Sequence, residues 1–176
     1  MPITNSSPWI ALLGVALGFM LGEGSRYAKY RLQIRRNRGI VGAELRSVLA
    51  QLPQKRDILN QAIGHLRKER FMPTLSVRMV ATGYHSVLED LYPHLRPLER
   101  NCLHVVFERL RVADDQLDQF EDIFVSALKD KIVSNPWVTY RERLEQLAAS
   151  YLIVEELAHS YLAGAPIDVF QVGKSA

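Results

Sequence analysis

The side chains of this sequence that could do chemistry are histidines and carboxylates at helical spacing. Glu156-Leu-Ala-His159 matches the Glu-x-x-His element of di-iron helical bundles. That chemistry also needs a second Glu-x-x-His and a glutamate from each of two other helices. The sequence contains no second Glu-x-x-His. We therefore interpret His159 as a surface residue near a helix C-terminus, where positive charge is favourable, and we predict no metal and no other cofactor.

Three further pairs of possible ligands are four residues apart, a spacing that places both members on one helical face. The pairs are His85 and Glu89, Asp90 and His94, and His104 and Glu108. Two ligands without a third nearby His or Cys indicate local side-chain pairing more than a metal site. The sequence also lacks a glycine-rich phosphate loop, a Gly-x-Ser-x-Gly motif and a Cys-x-x-Cys motif. We therefore predict that the protein is not an enzyme.

A cluster of carboxylates is the densest group of like charges in the second half of the chain. Its members are Asp114, Asp115, Asp118, Glu121 and Asp122. The cluster lacks the glycine and the ligand spacing of an EF-hand loop, so calcium is not predicted. Two interpretations remain open. The cluster is either a solvated helix face or a docking surface for a basic partner, including the basic segment of this same chain.

Among the elements that could position these residues, the first is an uncharged apolar run, Trp9 to Gly22. A dense basic segment follows this run directly. The run covers roughly 21 Å as a helix, against a hydrocarbon core of about 30 Å. Trp9 suits one membrane interface, and Tyr27 and Tyr30 suit the other. We predict a transmembrane anchor over residues 8–25. A cleaved signal peptide, a buried helix of a soluble domain and an interfacial helix lying flat remain alternatives.

The charges around this run predict its orientation, since Lys and Arg mark the cytoplasmic side of a span. All nearby cations follow the run, and we expect them to contact anionic lipid: Arg26, Lys29, Arg31, Arg35, Arg36 and Arg38. Net charge is +8 from residue 23 to 70 and −5 from residue 71 to 176. The sequence therefore predicts a single-pass membrane protein with residues 1–7 outside and the rest in the cytoplasm. The single cysteine, Cys102, fits a reducing compartment.

Gly14, Gly18 and Gly22 repeat every four residues within the apolar run. On a helix they form one row, and such a row lets another helix approach closely in lipid. Together with Trp9, these glycines are the predicted membrane and oligomerisation residues. We therefore expect the chain to form a homo-oligomer through the anchor helix.

The remainder of the chain predicts an all-α fold, because apolar residues recur at three- and four-residue steps between prolines. The longest such stripe runs from Leu103 to Ala127, and another runs from Leu144 to Tyr161. Pro53 is expected to kink or end a helix. The predicted organisation is a short extracytoplasmic N-terminus, a transmembrane helix, a basic juxtamembrane helix, an antiparallel helical bundle and a C-terminal tail. Their respective bounds are 1–7, 8–25, 26–52, 53–164 and 165–176.

These features favour a membrane-anchored interaction or scaffold protein that recruits a protein partner at the cytoplasmic face of a membrane. One alternative is an oligomeric, pore-forming effector with a helical sensor domain, such as a toxin or an antiviral defence protein. The other is a soluble, basic helical protein that binds nucleic acid. We do not expect nucleic acid as a partner, because a basic segment beside an apolar run is better suited to lipid.

Overall fold

The computed structural model describes residues 8–72, 78–79, 83–130, 134–165 and 168–169. Within these residues the fold is all-α, with 88% of positions helical and no strand. The five α-helices are α1 (Pro8–Leu66), α2 (Gly83–Leu91), α3 (Pro97–Asp118), α4 (Phe120–Asp130) and α5 (Pro136–Leu162). A short 3-10 turn, Tyr92–His94, connects α2 to α3. The predicted fold class, all-α, is confirmed.

The direction of α5 follows from the contacts it makes with its two long neighbours. As residue numbers rise in α1 or α3, the numbers of their partners in α5 fall. The pairs are Arg56–Glu155, Arg67–Glu145, Cys102–Leu157 and Arg109–Ser150. Helix α5 is therefore antiparallel to both α1 and α3, as in an up-and-down helical bundle.

Helix α2 packs against α1 in an antiparallel orientation. Its first residue, Gly83, donates its N–H to Glu44, whereas His94, just after α2, contacts Tyr30. The Tyr84 ring of α2 stacks on Phe107 of α3, with ring centroids 4.0 Å apart. Helices α1, α2, α3 and α5 thus surround one core, and the short α4 continues beyond α3.

The core confirms the apolar stripes of the sequence. Buried side chains recur at three- and four-residue steps along each long helix, which is how an amphipathic helix covers its apolar face. They include Leu45, Leu52, Leu59, Leu103, Leu110, Phe124, Leu144, Tyr151 and Leu157. The stripe from Leu103 to Ala127 packs within the chain, and it is divided between α3 and α4, since α3 ends at Asp118. A third apolar stripe runs from Val77 to Leu91 in the sequence, and its first two members, Val77 and Val80, lie outside the described residues.

In the sequence, Asn135 followed by Pro136 predicts a helix start and Gly164 predicts a helix end, and α5 confirms both. Asn135 caps the helix by accepting the N–H of Val138 at 3.2 Å, and Pro136 takes the first helical position. After Leu162, Gly164 adopts a positive φ of 74°, a conformation that glycine adopts without steric cost. The predicted helix end therefore lies where the sequence placed it.

The helix end expected at Pro53 is not observed, because α1 continues through this residue to Leu66. Pro53 itself is exposed, while Leu52 and Leu59 on either side are buried in the core. Tertiary packing of these neighbours outweighs the roughly 3 kcal/mol that proline costs inside a helix. The segment 26–52, predicted as a juxtamembrane helix, also contributes core residues from Val41 onward. The bundle therefore begins before residue 53.

The transmembrane helix predicted at residues 8–25 is not supported. In the part of the chain that the structure describes, no helix combines the length and the apolar character needed to cross a bilayer. The physical reason lies in the sequence itself: Glu23 and Arg26 follow the apolar run immediately and leave it at roughly 21 Å. The predicted extracytoplasmic residues 1–7 and most of the tail, 165–176, lie outside the described residues.

Candidate functional site

The N-terminal part of α1 carries the largest exposed apolar surface of the described chain. We call residues 9–22 the apolar stem. Trp9 is 70% exposed and Phe19 is 69% exposed, although both belong to a continuous helix. The other exposed large side chains of the stem are Leu12, Leu13, Val15, Leu17, Met20 and Leu21. A surface of this kind marks an interaction with a membrane or with another protein.

The stem has two different faces. At 100° per residue, Gly14, Gly18 and Gly22 fall in one row, and the large apolar side chains occupy the remaining circumference. An added Cβ at any of the three glycines would meet nothing within 4 Å. The row is therefore open to a second helix. Oligomerisation through it stays a prediction.

Beyond the apolar stem, the side chains of Tyr30 and Arg38 fix α1 to the bundle, and we call this part of α1 the stem base. Tyr30 hydrogen-bonds through its hydroxyl to Nε2 of His94, and the two rings meet edge to face at 5.3 Å. Arg38 donates to the His94 carbonyl at 2.7 Å and to Glu99 at 3.3 Å. The stem and the first part of the bundle are thus one continuous helix, anchored where α2 turns into α3.

Glu99 joins these contacts to the start of α3. It accepts the backbone N–H of Arg96 at 2.7 Å and the Arg38 guanidinium. Burial acts to raise the pKa of Glu99, but the Arg96 N–H and the Arg38 charge prevail and lower it below its ordinary value. Glu99 is therefore held as a carboxylate at the stem base.

Five of the six cations predicted to contact lipid are exposed along α1: Arg26, Lys29, Arg31, Arg35 and Arg36. Arg26 pairs with Glu23 at 2.9 Å on the surface, and Arg31 donates to the Tyr27 hydroxyl at 2.8 Å. Arg38 differs, because its guanidinium is engaged with His94 and Glu99. We therefore restrict the basic flank to the five exposed cations. Their contact with lipid stays a prediction.

The acidic cluster is not a single surface. Asp114 is buried, and it accepts hydrogen bonds from Lys55 Nζ at 3.1 Å, the Met79 N–H at 2.8 Å and the Tyr151 hydroxyl at 3.2 Å. It therefore joins α1, α3 and α5 inside the bundle and is not available to a partner. Burial, together with the Asp114 carboxylate, raises the pKa of Tyr151.

The other members of the cluster lie nearer the surface. Arg78 pairs with Asp115 at 3.2 Å and with Asp118 at 2.6 Å, and Arg111 pairs with Asp115 at 2.9 Å. Glu121 and Asp122 are exposed at the start of α4. Side chains outside the basic flank thus occupy part of the cluster. Docking of a basic partner on its exposed members stays a prediction.

The predicted pairs of possible ligands do not converge on one site. Among the described residues, no three His, Cys, Asp or Glu side chains lie close enough together to hold a metal ion. Glu108 is bonded to Arg111 at 2.6 Å, and His94 is bonded to Tyr30. His159 and Glu156 are exposed on α5.

The buried network around Asp114 is a feature that the sequence analysis missed. One signal was present: Lys55 lies three residues after Leu52 and four before Leu59, inside the apolar stripe of α1. A lysine at a core position needs a buried carboxylate partner, because an unpaired buried charge is costly. The identity of that partner depends on the packing of α1 against α3, which no local pattern encodes.

Comparison with known proteins does not assign the chain to a family. The chain matches no protein-family profile, no curated protein and no solved structure at a significant level.

Proposed function

We propose that this chain is a membrane-associated helical interaction protein, in which the apolar stem embeds in lipid and the bundle recruits a protein partner. The observation that carries the proposal is the stem itself. Its large side chains are exposed on a helix that continues without a break into the bundle. Water is a poor environment for such a surface, and fully burying each leucine stabilises the bound state by roughly 1.5 to 3 kcal/mol.

The basic flank supports lipid as the partner of the stem. Five exposed cations follow the stem within about four helical turns, and each adds about 1 kcal/mol near an anionic surface. The tyrosines Tyr27 and Tyr30 lie among them, and tyrosine is favoured at the headgroup level. We therefore place the basic flank at the headgroups of the cytoplasmic leaflet, with the bundle on the cytoplasmic side.

Flotation of the purified chain on lipid vesicles tests this proposal. We expect flotation with vesicles that contain phosphatidylserine, and weaker flotation with phosphatidylcholine alone or at high salt. The double substitution Leu13→Glu with Leu17→Glu should leave the chain unbound, because both side chains are exposed in the stem. The matched control is Leu128→Glu with Leu152→Glu, which adds the same charge to exposed leucines of the bundle. Equal flotation of both variants would refute the proposal.

A second candidate function is favoured by the open glycine row: an oligomeric, pore-forming effector. Stems that pack through Gly14 and Gly18 could line a pore, with the bundle as the sensor. This candidate requires that vesicles holding a trapped dye become leaky when the chain binds. It also requires that Gly14→Leu with Gly18→Leu abolishes the leak while flotation is kept. Binding without any leak would eliminate it.

A further inference from the structure

A cleft of about 620 Å³ lies between α3, α4 and α5, and no residue of α1 lines it. Its floor is apolar and consists of Ala113, Phe120 and Leu147, which are themselves buried. Two further apolar side chains stand at its edge, Val112 at 37% exposure and Ile123 at 40%. The described part of the chain therefore leaves Val112 and Ile123 uncovered at the edge of a cleft whose floor is apolar.

Two arginines stand on opposite walls of this cleft, Arg109 on α3 and Arg143 on α5. Arg109 donates to the Ser150 hydroxyl at 3.4 Å, and the Arg143 guanidinium lies 5.5 Å from the Tyr140 ring centroid. Neither forms an ion pair with a carboxylate of the described residues, whereas Arg78 and Arg111 each form two.

One carboxylate also lines the cleft, but its charge is already neutralised. Glu108 receives two hydrogen bonds from Arg111, at 2.6 and 3.1 Å, and the Arg111 charge helps to lower the pKa of Glu108. The charge that remains for a ligand is therefore positive on both walls. Three glutamines, Gln116, Gln119 and Gln146, complete the polar rim.

The dimensions of the cleft suit a helix. Its α3 wall runs from Glu108 to Gln116, which is roughly 12 Å, or just over two helical turns. A short amphipathic helix places apolar side chains at i, i+3, i+4 and i+7 into such a groove. The stem base contacts α3 at Glu99, more than two turns before the cleft begins. A ligand in the cleft is thus clear of the stem.

We propose that this cleft binds an acidic amphipathic helix of a protein partner. The apolar face of that helix covers the floor and the side chains of Val112 and Ile123. Its flanking carboxylates pair with Arg109 on one wall and Arg143 on the other. This inference rests on the proposed function, since it identifies where the recruited partner binds and what chemistry that partner presents.

The test uses two synthetic peptides with one leucine stripe and opposite flanks, one glutamate-rich and one lysine-rich. Each carries a fluorophore, and binding to the full chain is measured by anisotropy, both on vesicles and in detergent. We expect the acidic peptide to bind about tenfold more tightly than the basic one, because charges at the rim set partner choice. Arg109→Glu with Arg143→Glu should reverse that order.

The matched control is Arg46→Glu with Lys68→Glu, which makes the same change of charge on exposed residues outside the cleft. The control should keep the preference for the acidic peptide. The inference is overturned if neither peptide binds at millimolar concentration, if both bind equally, or if the control also reverses the order. Self-association of the chain that the cleft variant abolishes would overturn it too, in favour of a second copy. Flotation is measured separately, so failure of membrane binding and failure of the cleft are distinguishable.

Discussion

Substitution of Asp114 by alanine should destabilise the bundle more than the roughly 1 kcal/mol of a typical single substitution. The Asp114 carboxylate accepts from Lys55, from the Met79 N–H and from Tyr151, and the Lys55 side chain is only 4% exposed. Removing one partner of a buried ion pair costs about 3 to 5 kcal/mol. We expect a loss near the lower end, about 3 kcal/mol, because Lys55 makes a further interaction within the protein.

Equilibrium urea denaturation of the full chain, followed by far-UV circular dichroism, measures this loss. The comparison variant combines Lys55→Met, Asp114→Leu and Tyr151→Phe, which removes the ion pair and the hydroxyl together. Of the groups bonded to Asp114, it leaves only the Met79 N–H without an acceptor, so we expect a smaller loss of about 1 to 2 kcal/mol. If Asp114→Ala costs less than the triple substitution, the ion pair does not have the role that its burial implies.

Two further predictions concern α2 and the core thiol. Gly83→Ala should cost about 1 to 3 kcal/mol, because its Cβ would meet Glu44 Oε2 at 3.0 Å and Ile40 Cγ2 at 3.1 Å. By contrast, Gly64→Ala should stabilise the protein by up to about 1 kcal/mol, because the added Cβ lies in open space inside α1. The urea midpoints of both variants measure this difference, and equal effects on stability would contradict it. Burial raises the pKa of Cys102 from 9.0 to about 11, so its neutral form is favoured in the folded state. Stability is therefore fully present below pH 9 and falls as the pH rises towards 11, by about 2 to 3 kcal/mol at most. Cys102→Ala should flatten this part of the pH profile of urea midpoints. If Cys102→Ala left the pH profile of stability unchanged, the raised pKa of Cys102 would be contradicted.

Helix positions could be predicted from the sequence because burial and periodicity have a local signature. Tyr84, Val87 and Leu91 are buried at the spacing that an amphipathic helix requires, and so are Leu144, Leu147 and Tyr151. The start of α5 could also be predicted, since Asn135 caps the first turn with a local hydrogen bond and Pro136 suits the first helical position. Such signals depend on residues within one or two turns of each other.

Features that join distant segments were not predictable in the same way. Asp114 was interpreted as one of five surface carboxylates, yet its partner Lys55 lies 59 residues away in sequence. Pro53 was expected to interrupt α1, but burial of its neighbours on the core face maintains the helix. In each case tertiary packing outweighed a local preference. The cleft between α3, α4 and α5 likewise has no local signature, since only the packing of these helices brings Arg109 and Arg143 to its opposite walls.

The most direct test of the central claim is the fluorescence of Trp9 in the presence of lipid. The chain has two tryptophans, and Trp137→Phe leaves Trp9, at 70% exposure, as the only one. Phenylalanine should preserve the edge-to-face contact that Trp137 makes with Phe124. If the stem embeds in lipid, anionic vesicles will shift Trp9 emission to the blue, and brominated acyl chains will quench it. Emission that stays the same with vesicles, and remains open to iodide quenching, would contradict membrane insertion of the stem.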